Sequence, residues 1–194
     1  VIDLRARAAD NAAELLAAGL TRLVTIVRDA TPERVAVQVP VGADILREIA
    51  KLRALRRLAT RVFDLIYGDD AGRPALAVHA FAWRAAPAAD LASNLIGNSA
   101  SVFAAITGGA DLVTPLAHSD EPEHRRLADN VARLALHEAH LAAVRDPAAG
   151  SYALESLTEA LCGAAWLLFQ ALGSPSGLVP EATALRCIGD HRGA

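Results

Sequence analysis

A single lysine stands out among the side chains of this sequence that could do chemistry. Of the 19 lysine and arginine residues, only Lys51 is a lysine. Its ammonium group is a compact point charge that suits a phosphate or an oxyanion, although one lysine can also persist in an arginine-rich chain without any function. Lys51 is therefore a candidate functional amine, and a residue on a helix surface is the alternative.

Two histidines, His137 and His140, have the spacing of neighbours on one helix face, with a glutamate between them. The metal-binding pattern H-E-x-x-H needs histidines four positions apart and a third ligand, so we predict no metal site. Cys162 and Cys187 are too far apart for a metal knuckle and too few for a disulfide framework, which fits a reducing compartment. We expect Cys162 to pack inside a helix. The other histidines expected to face solvent are His118, His124 and His191.

Hydrophobic periodicity divides the chain into short β-rich runs that alternate with longer helical stretches. The predicted strands are residues 1–4, 23–27, 34–39, 75–80 and 111–114. The predicted helices are residues 10–18, 41–67, 90–106, 121–144 and 155–171. Their border signals are Asp10 and Asp90 as N-caps, Pro122 in a first turn, and Gly68, Gly108 and Gly173 as stops. The alternation predicts an α/β fold with a parallel sheet covered by helices.

Polar residues follow the apolar stretch of each predicted strand. They are Arg5, Arg28, Gln38, His79 and Thr114. In open α/β sheets and in (β/α)8 barrels, the carboxyl ends of the strands form the ligand face. Together these residues indicate which end of the sheet would bind a ligand, although each one alone could simply begin a loop.

The number of predicted strands indicates part of a larger barrel. A closed (β/α)8 barrel needs eight strands and about 250 residues, so four or five strands make about half of one. Open sheet edges with apolar faces associate, and we expect the missing strands earlier in the same polypeptide or in a partner chain. The absence of Met, even at position 1, also predicts a processed or excised piece. The half barrel would span residues 1–172, and residues 173–194 would form a linker or tail.

Composition narrows the class of protein. Hydrophobic residues make up 53% and charged residues 21%, and the net charge is -3. This balance offers no basic surface for nucleic acid. No apolar run reaches the roughly 18 to 20 residues that span a bilayer. We therefore expect a cytoplasmic protein that acts neither on nucleic acid nor in a membrane.

Four sequence blocks follow one another between residues 10 and 170. They are E-I-A-K-L-R-A-L-R-R-L at 48–58, F-A-A-I-T-G-G-A-D at 103–111, E-A-H-L-A-A-V at 138–144 and D-P-A-A-G-S-Y-A-L-E-S-L-T at 146–158. They resemble E-I-A-K-x-R-A-x-R-R-L-W, F-A-A-x-x-G-G-A, E-S-H-L-x-x-V and D-P-x-G-G-S-Y-x-V-E-x-L-T of the methylmalonyl-CoA mutase family of adenosylcobalamin-dependent acyl-CoA mutases. Because order and approximate spacing also agree, the resemblance is far more specific than any one motif.

The resemblance implies the C-terminal half of a substrate-binding (β/α)8 TIM barrel through which acyl-CoA threads. In the family, a separate flavodoxin-like domain presents adenosylcobalamin to the strand ends. The D-x-H-x-x-G motif whose histidine ligates cobalt has no counterpart here, since residues 190–193 read D-H-R-G. The expectation is therefore that the cofactor belongs to the family or to a complex, and that this segment alone binds none.

The resemblance also assigns individual residues. Substrate-binding positions along the CoA channel would be Lys51, His79 and Asn94, with Lys51 beside a phosphate or thioester oxygen. Gln38, one of the polar strand residues, completes the predicted set. At three other positions the family pattern is lost. Phe81 replaces a glutamine, Arg5 replaces the histidine of a Tyr-His pair, and Gly97 replaces an arginine. No residue is assigned a catalytic role.

These losses fall where chemistry would occur, and the scaffold blocks persist. Some members of the family are heterodimers whose smaller chain repeats the fold without a working site. The run G-A-D-L-V-T-P-L at 109–116 is similar to that smaller chain. We therefore favour the small structural subunit, which supports a catalytic mutase chain. The alternatives are a fragment of a catalytic substrate barrel and a CoA-binding protein without mutase chemistry.

Overall fold

The computed structural model describes residues 1–5, 11–30, 32–68, 72–82 and 90–172. Its strands are β1 (Ile2–Asp3), β2 (Arg34–Val41), β3 (Ala75–Ala82) and β4 (Leu112–Thr114). Its α-helices are α1 (Ala12–Ala30), α2 (Ile45–Tyr67), α3 (Leu91–Thr107), α4 (Pro122–Arg133) and α5 (Tyr152–Ala171), and a π-helical turn at Leu134–Glu138 follows α4. The expected tail at 173–194 lies outside the described residues.

The four strands are parallel and follow the order β1-β2-β3-β4. Because crossovers between parallel strands are right-handed, a sheet wound in one direction carries its helices on one face. Burial in β2 agrees: Val35, Val37, Val39 and Val41 are buried, and the residues between them are partly exposed. This confirms the α/β class, and the arrangement is that of a partial (β/α)8 barrel. The other sheet face, which carries Gln38, is called the open face below.

Helix α5 packs against α1 and α2 and completes the core on the helical side. Trp166 and Phe169 are both 1% exposed, and their ring centroids lie 5.4 Å apart. Cys162 is also buried, as expected for a cysteine that packs inside a helix. Buried aromatic rings of this size contribute strongly to core stability, so α5 holds the first two helices against the sheet.

The strand predicted at residues 23–27 is wrong, because this segment lies in α1. The run L-V-T-I-V is rich in β-branched residues, which favour strands by propensity. The buried residues Leu16, Leu20, Leu23 and Val27 instead follow a helical spacing, and their burial overrides the local preference. Arg28 is consequently in the last turn of a helix and is not at the end of a strand.

The helix predicted at residues 121–144 is too long. It ends at Arg133 and continues as the π-helical turn, in which the amide of Ala139 donates to the carbonyl of Leu134. Residues 139–151 then form turns, and His140 and Asp146 have φ angles of 50° and 51°. Apolar periodicity alone cannot detect such a break, since residues 134–144 contain neither glycine nor proline to signal it.

Four predicted border signals are confirmed, at Gly68, Asp90, Gly108 and Pro122. The helix end predicted at residue 18 is wrong, because α1 continues to Ala30. The side chain of Asp90 accepts a hydrogen bond from the amide of Ser93 at 2.7 Å and caps α3. Pro122 is the first residue of α4, and Gly68 follows the last residue of α2. The predicted start of α2 at residue 41 is wrong, because Val41 ends β2 and Asp44 caps the helix. Asp10 and Gly173 lie outside the described residues.

The glycine pair at the end of α3 explains the G-G of the second block. Gly109 has a φ of 82°, and the amides of Gly109 and Ala110 donate to the carbonyls of Ile106 and Ala105. This is the Schellman ending of a helix. A Cβ atom on Gly108 would lie 2.8 Å from Leu52 Cδ1 and 2.9 Å from the carbonyl oxygen of Ala104. Helix α3 therefore approaches α2 closely only because Gly108 has no side chain.

We expect Gly108→Ala to lower the free energy of unfolding by about 1 to 3 kcal/mol, the usual cost of overpacking. Gly97→Ala is the matched control in the same helix, since a Cβ there meets no atom within 4 Å. It should be neutral or stabilise the chain by up to about 1 kcal/mol, because alanine favours a helix. Urea denaturation of both variants measures the difference. Equal free energies of unfolding for the two variants would contradict the close approach of α3 to α2.

Candidate functional site

The pairing of β2 with β3 brings two of the predicted binding residues together. In the sheet register, Gln38 of β2 is paired with Asp3 on one side and with His79 on the other. His79 is in turn paired with Leu112 of β4. Gln38 and His79 are therefore neighbours in one row across the open face. The prediction that they end their strands is wrong, because β2 continues to Val41 and β3 to Ala82.

A stack of side chains crosses the sheet from the carboxyl end of β1 to that of β4. The guanidinium carbon of Arg5 lies 4.6 Å from the centroid of the Phe81 ring. The Phe81 centroid is 4.1 Å from that of His79, and His79 Nε2 lies 2.8 Å from Thr114 Oγ1. We call Arg5, Phe81, His79 and Thr114 the mouth stack, since together they link the end of β1 to the end of β4. Arg5 and Thr114 thus lie at strand ends, as predicted.

Asp3 fixes the arginine of the mouth stack. The amide, Nε and Nη2 of Arg5 donate to its carboxylate at 2.9, 3.0 and 2.8 Å. These hydrogen bonds lower the pKa of Asp3 from 3.8 to about 2 and raise the pKa of Arg5. Arg22 also donates to the carbonyl oxygen of Asp3, at 2.7 Å. Arg5 is therefore a permanent cation with a defined orientation, and it is not a group that could exchange a proton during a reaction.

His79 is held in its neutral form. Burial lowers the pKa of its imidazole below 6.5, and the positive charge of Arg5 lowers it further. Its hydrogen-bond partner is the Thr114 hydroxyl group, and a hydroxyl cannot stabilise an imidazolium as a carboxylate would. At neutral pH, His79 can therefore donate or accept one hydrogen bond, but this environment does not tune it for acid–base catalysis.

Lys51 lies inside the helical layer. It is only 6% exposed, so the alternative of a helix-surface residue is wrong. Its Nζ donates to the carbonyl oxygen of Pro40 at 2.7 Å and forms an ion pair with Glu48. Burial lowers the pKa of Lys51, and the charge of Glu48 opposes this effect. The amine thus ties α2 to the end of β2, two residues beyond Gln38, and its contact with a CoA channel stays a prediction.

Asn94, the fourth predicted binding residue, lies in the first turn of α3, where the chain returns from β3. It is 2% exposed, and its amide nitrogen has no hydrogen-bond partner among the described residues. The side chain of Asn98, one turn later, is fully buried, and both its amide atoms are likewise unpartnered within this part of the chain. The two amides make this buried face of α3 polar, and neither residue belongs to the mouth stack.

Three of the four blocks that carry the family resemblance meet in space. Arg53 forms ion pairs with Asp146 and Glu155, and Arg57 reaches Glu155 at 2.5 Å. Arg56 donates to the carbonyl of Gly109 at 2.9 Å and to Asp111 at 2.7 Å. Burial works to raise the pKa of Glu155, but the hydrogen bond from Arg57 and the two arginine charges outweigh it and lower the pKa. These contacts join α2 to the second and fourth blocks, which periodicity could not reveal.

The expectation that His118 and His124 face solvent is wrong. Both are partly buried, and the side chain of His124 is 17% exposed. Ser119 Oγ lies 2.7 Å from His124 Nδ1, and the two histidine rings are 5.4 Å apart. The loop before α4 therefore packs against the first turn of that helix. His191 lies outside the described residues.

The π-helical turn separates the two histidines that were weighed as metal ligands. His137 lies within the turn, and His140 follows it in the left-handed region. Helical spacing therefore does not relate their side chains. Within the described ranges, no group of three or more His, Cys, Asp or Glu side chains is placed to hold a metal ion. No helix in this same part of the chain has the length and apolarity needed to cross a membrane.

Comparison with known proteins places these features in a family. Residues 6–184 match the family model described as methylmalonyl-CoA mutase. The chain is 35% identical over 136 residues to the methylmalonyl-CoA mutase small subunit of Propionibacterium freudenreichii subsp. shermanii, an alignment that covers 67% of this chain and 21% of that protein. It is 32% identical over 172 residues to a probable methylmalonyl-CoA mutase small subunit of Mycobacterium bovis, with coverages of 82% and 27%.

A further relative is the methylmalonyl-CoA mutase of Rhizobium meliloti, 28% identical over 154 residues, with coverages of 74% and 21%. The chain spans between 21% and 27% of the length of these three relatives. The match to the family model nevertheless extends over most of the chain, including all four blocks. This chain belongs to the methylmalonyl-CoA mutase family.

Proposed function

We propose that this chain is part of a small, non-catalytic subunit of a methylmalonyl-CoA mutase-type enzyme and that its half barrel supports a catalytic partner chain. The mouth stack is the observation that carries the proposal. It places on the open face a cation, an apolar ring and a neutral imidazole whose ring nitrogen is hydrogen-bonded to a threonine. The similarity to proteins named small subunits supports the same assignment.

The chemistry of the stack is unsuited to a radical rearrangement of an acyl-CoA. In such enzymes the cofactor supplies the radical chemistry, and the protein positions the substrate with polar donors in a water-excluded site. Phe81 cannot donate the hydrogen bond that an amide would give. Arg5 is committed to Asp3 and to the Phe81 ring. The family's positioning groups are therefore replaced by groups that bind one another.

The described residues of this face do not provide a protein ligand for the cobalt of adenosylcobalamin. A cobalt ligand needs a free imidazole nitrogen that faces the open end of the barrel. His79 Nε2 is within hydrogen-bond distance of Thr114, and its ring packs on Phe81. Within the proposal, adenosylcobalamin belongs to the assembled enzyme, and this segment takes no part in holding it.

The partner in the proposal completes the barrel. β1 and β4 are the two edge strands of the sheet. β1 is only two residues long, and β4 is only three residues long. Edge strands expose unpaired backbone groups, which a further strand can satisfy. The partner would be the missing N-terminal half barrel, a catalytic mutase chain, or both, in the cytoplasm. An acyl-CoA would contact Gln38 and His79 on the open face, with Lys51 and Asn94 behind them.

An activity assay of the assembled enzyme tests the proposal. The complex of this protein with its partner is supplied with adenosylcobalamin and methylmalonyl-CoA after the partner's own site has been inactivated by mutation. We expect no turnover above the inactivated background, because preorganised donors are missing and each such loss typically costs about two to three orders of magnitude. Turnover that persists and is abolished by His79→Ala would show that this barrel is catalytic and would overturn the proposal.

A further inference from the structure

A cavity lies away from the mouth stack. It has a volume of about 530 Å³, within the range of about 300 to 1,000 Å³ that small-molecule sites occupy. It is formed by α2, by the turn between α3 and β4, and by the loop that precedes α5. The lining residues are Arg53, Arg56, Arg57, Gly108, Gly109, Asp111, Arg145 and Asp146. None of them belongs to the mouth stack.

The lining of this cavity carries an excess of positive charge. Four of its side chains are arginines and two are aspartates, so its walls have a formal charge of +2. Glu155, which pairs with Arg53 and Arg57 from outside the lining, reduces the excess to +1. Four guanidinium groups around one cavity repel one another, and a bound anion would relieve this repulsion. The protein as a whole is acidic, with a net charge of -3, so the cluster is a local feature.

Several guanidinium donors in the cavity remain available. Each arginine has five N–H donors. Arg145 is exposed and has no ion-pair partner within the described part of the chain. Arg53 Nε is buried and has no hydrogen-bond partner among the same residues. The carboxylates that pair with these arginines are accessible, since the side chains of Asp111 and Asp146 are 47% and 46% exposed. Asp111 also accepts a hydrogen bond from the amide of Val78 at 2.7 Å, so Asp146 is the carboxylate that a bound anion would displace more readily.

We propose that this arginine cavity binds the phosphate groups of a small molecule, most favourably two linked phosphates. The planar guanidinium group matches the geometry of phosphate oxygens and binds them through two parallel hydrogen bonds. Arg56 and Arg57 follow Arg53 by three and four positions on α2, and Arg145 lines the same cavity from the loop that precedes α5. A diphosphate in the cavity would contact guanidinium groups from both segments. The site is independent of the proposed mutase function, because it uses none of the residues on the open face.

Isothermal titration calorimetry tests the proposal. The protein, together with any chains that accompany it, is titrated with pyrophosphate and with ADP. Adenosine serves as the control ligand without phosphate. We expect saturable binding of pyrophosphate and ADP and none of adenosine. Arg145→Gln should weaken pyrophosphate binding roughly tenfold to a hundredfold, the range for losing a charged hydrogen-bond donor. Arg145→Lys should be intermediate, because it keeps the charge but loses the planar fork.

Arg125→Gln is the matched control variant, since Arg125 is an exposed arginine on α4 that pairs with Asp120 at 3.4 Å. Its affinity for pyrophosphate should equal that of the parent. Circular dichroism checks that each variant folds, and Arg57→Gln replaces Arg145→Gln if the latter does not. Absence of saturable binding for both phosphate probes, or equal affinities for the parent and the folded cavity variant, would overturn the proposal. Equal weakening by Arg125→Gln would also overturn it, since it would indicate a nonspecific charge effect.

Discussion

Lys51→Met is expected to lower the free energy of unfolding by about 3 to 5 kcal/mol, the usual cost of removing one partner from a buried ion pair. The substitution leaves the carboxylate of Glu48, which is only 8% exposed, without its cation. It also removes the hydrogen bond from Nζ to the carbonyl of Pro40. Urea denaturation at neutral pH measures the loss.

The double variant Lys51→Met/Glu48→Leu is the matched control. It removes both charges and fills similar volume with apolar atoms, and such replacements are often neutral or stabilising. We therefore expect it to recover most of the stability that the single variant loses. A single variant as stable as the parent would mean that Glu48 reaches solvent and that the pair contributes little.

Burial of the ammonium group also predicts the direction of a pH dependence. Burial lowers the pKa of Lys51 below 10.5, although the carboxylate of Glu48 partly opposes the shift. Between the lowered pKa and 10.5, the unfolded chain binds a proton that the folded chain has lost, so the free energy of unfolding rises with pH. Below the lowered pKa both states are protonated, and the contribution is constant. The rise should therefore appear in alkaline buffers for the parent and should be absent from Lys51→Met.

Arg53→Met should lower the free energy of unfolding by about 2 to 3 kcal/mol, less than the Lys51 variant loses. Two charge-assisted hydrogen bonds are removed, to Asp146 and to Glu155. These carboxylates are 46% and 34% exposed, so water compensates part of the loss. Hydrogen exchange should also accelerate at residues 146–151, because Arg53 holds that loop against α2.

Arg126→Met provides the comparison for Arg53→Met. Arg126 is 71% exposed, and its nearest carboxylate, on Glu123, is 4.0 Å away. Removing such a surface pair should change the free energy of unfolding by less than about 0.5 kcal/mol. If the two variants lose equal stability, or if exchange in the loop is unchanged by Arg53→Met, the buried guanidinium does not anchor the fourth block.

The sequence predicted β2 and β3 well, because the strand preference of these runs agrees with the alternating burial of their residues in the sheet. It failed at residues 23–27, where burial on a helix face overrode the preference of β-branched residues. It also failed after Arg133, where the helix widens into a π-turn without a local signal. Secondary structure was thus predictable where the local preference and the tertiary environment agreed.

The candidate site was predictable only in part. Polar strand ends led to Gln38 and His79, which the register places side by side. The contact between Arg5 and Phe81 depends on the positions of two non-adjacent strands, so no local pattern contains it. The same holds for Arg53, whose partners Asp146 and Glu155 are 93 and 102 residues away. The spacing of Arg53, Arg56 and Arg57 on one helix was the available signal for the arginine cavity.

The buried ion pair of Lys51 has a consequence for the chemical reactivity of this chain. Thioesters acylate primary amines, and a protonated guanidinium does not compete as a nucleophile. The only lysine here has its ammonium bonded to Pro40 and paired with Glu48 beneath the surface. In the folded chain, therefore, no lysine amine is accessible to a thioester in solution or to an enzyme that modifies lysines. Acylation of Lys51 would instead report that the chain had unfolded.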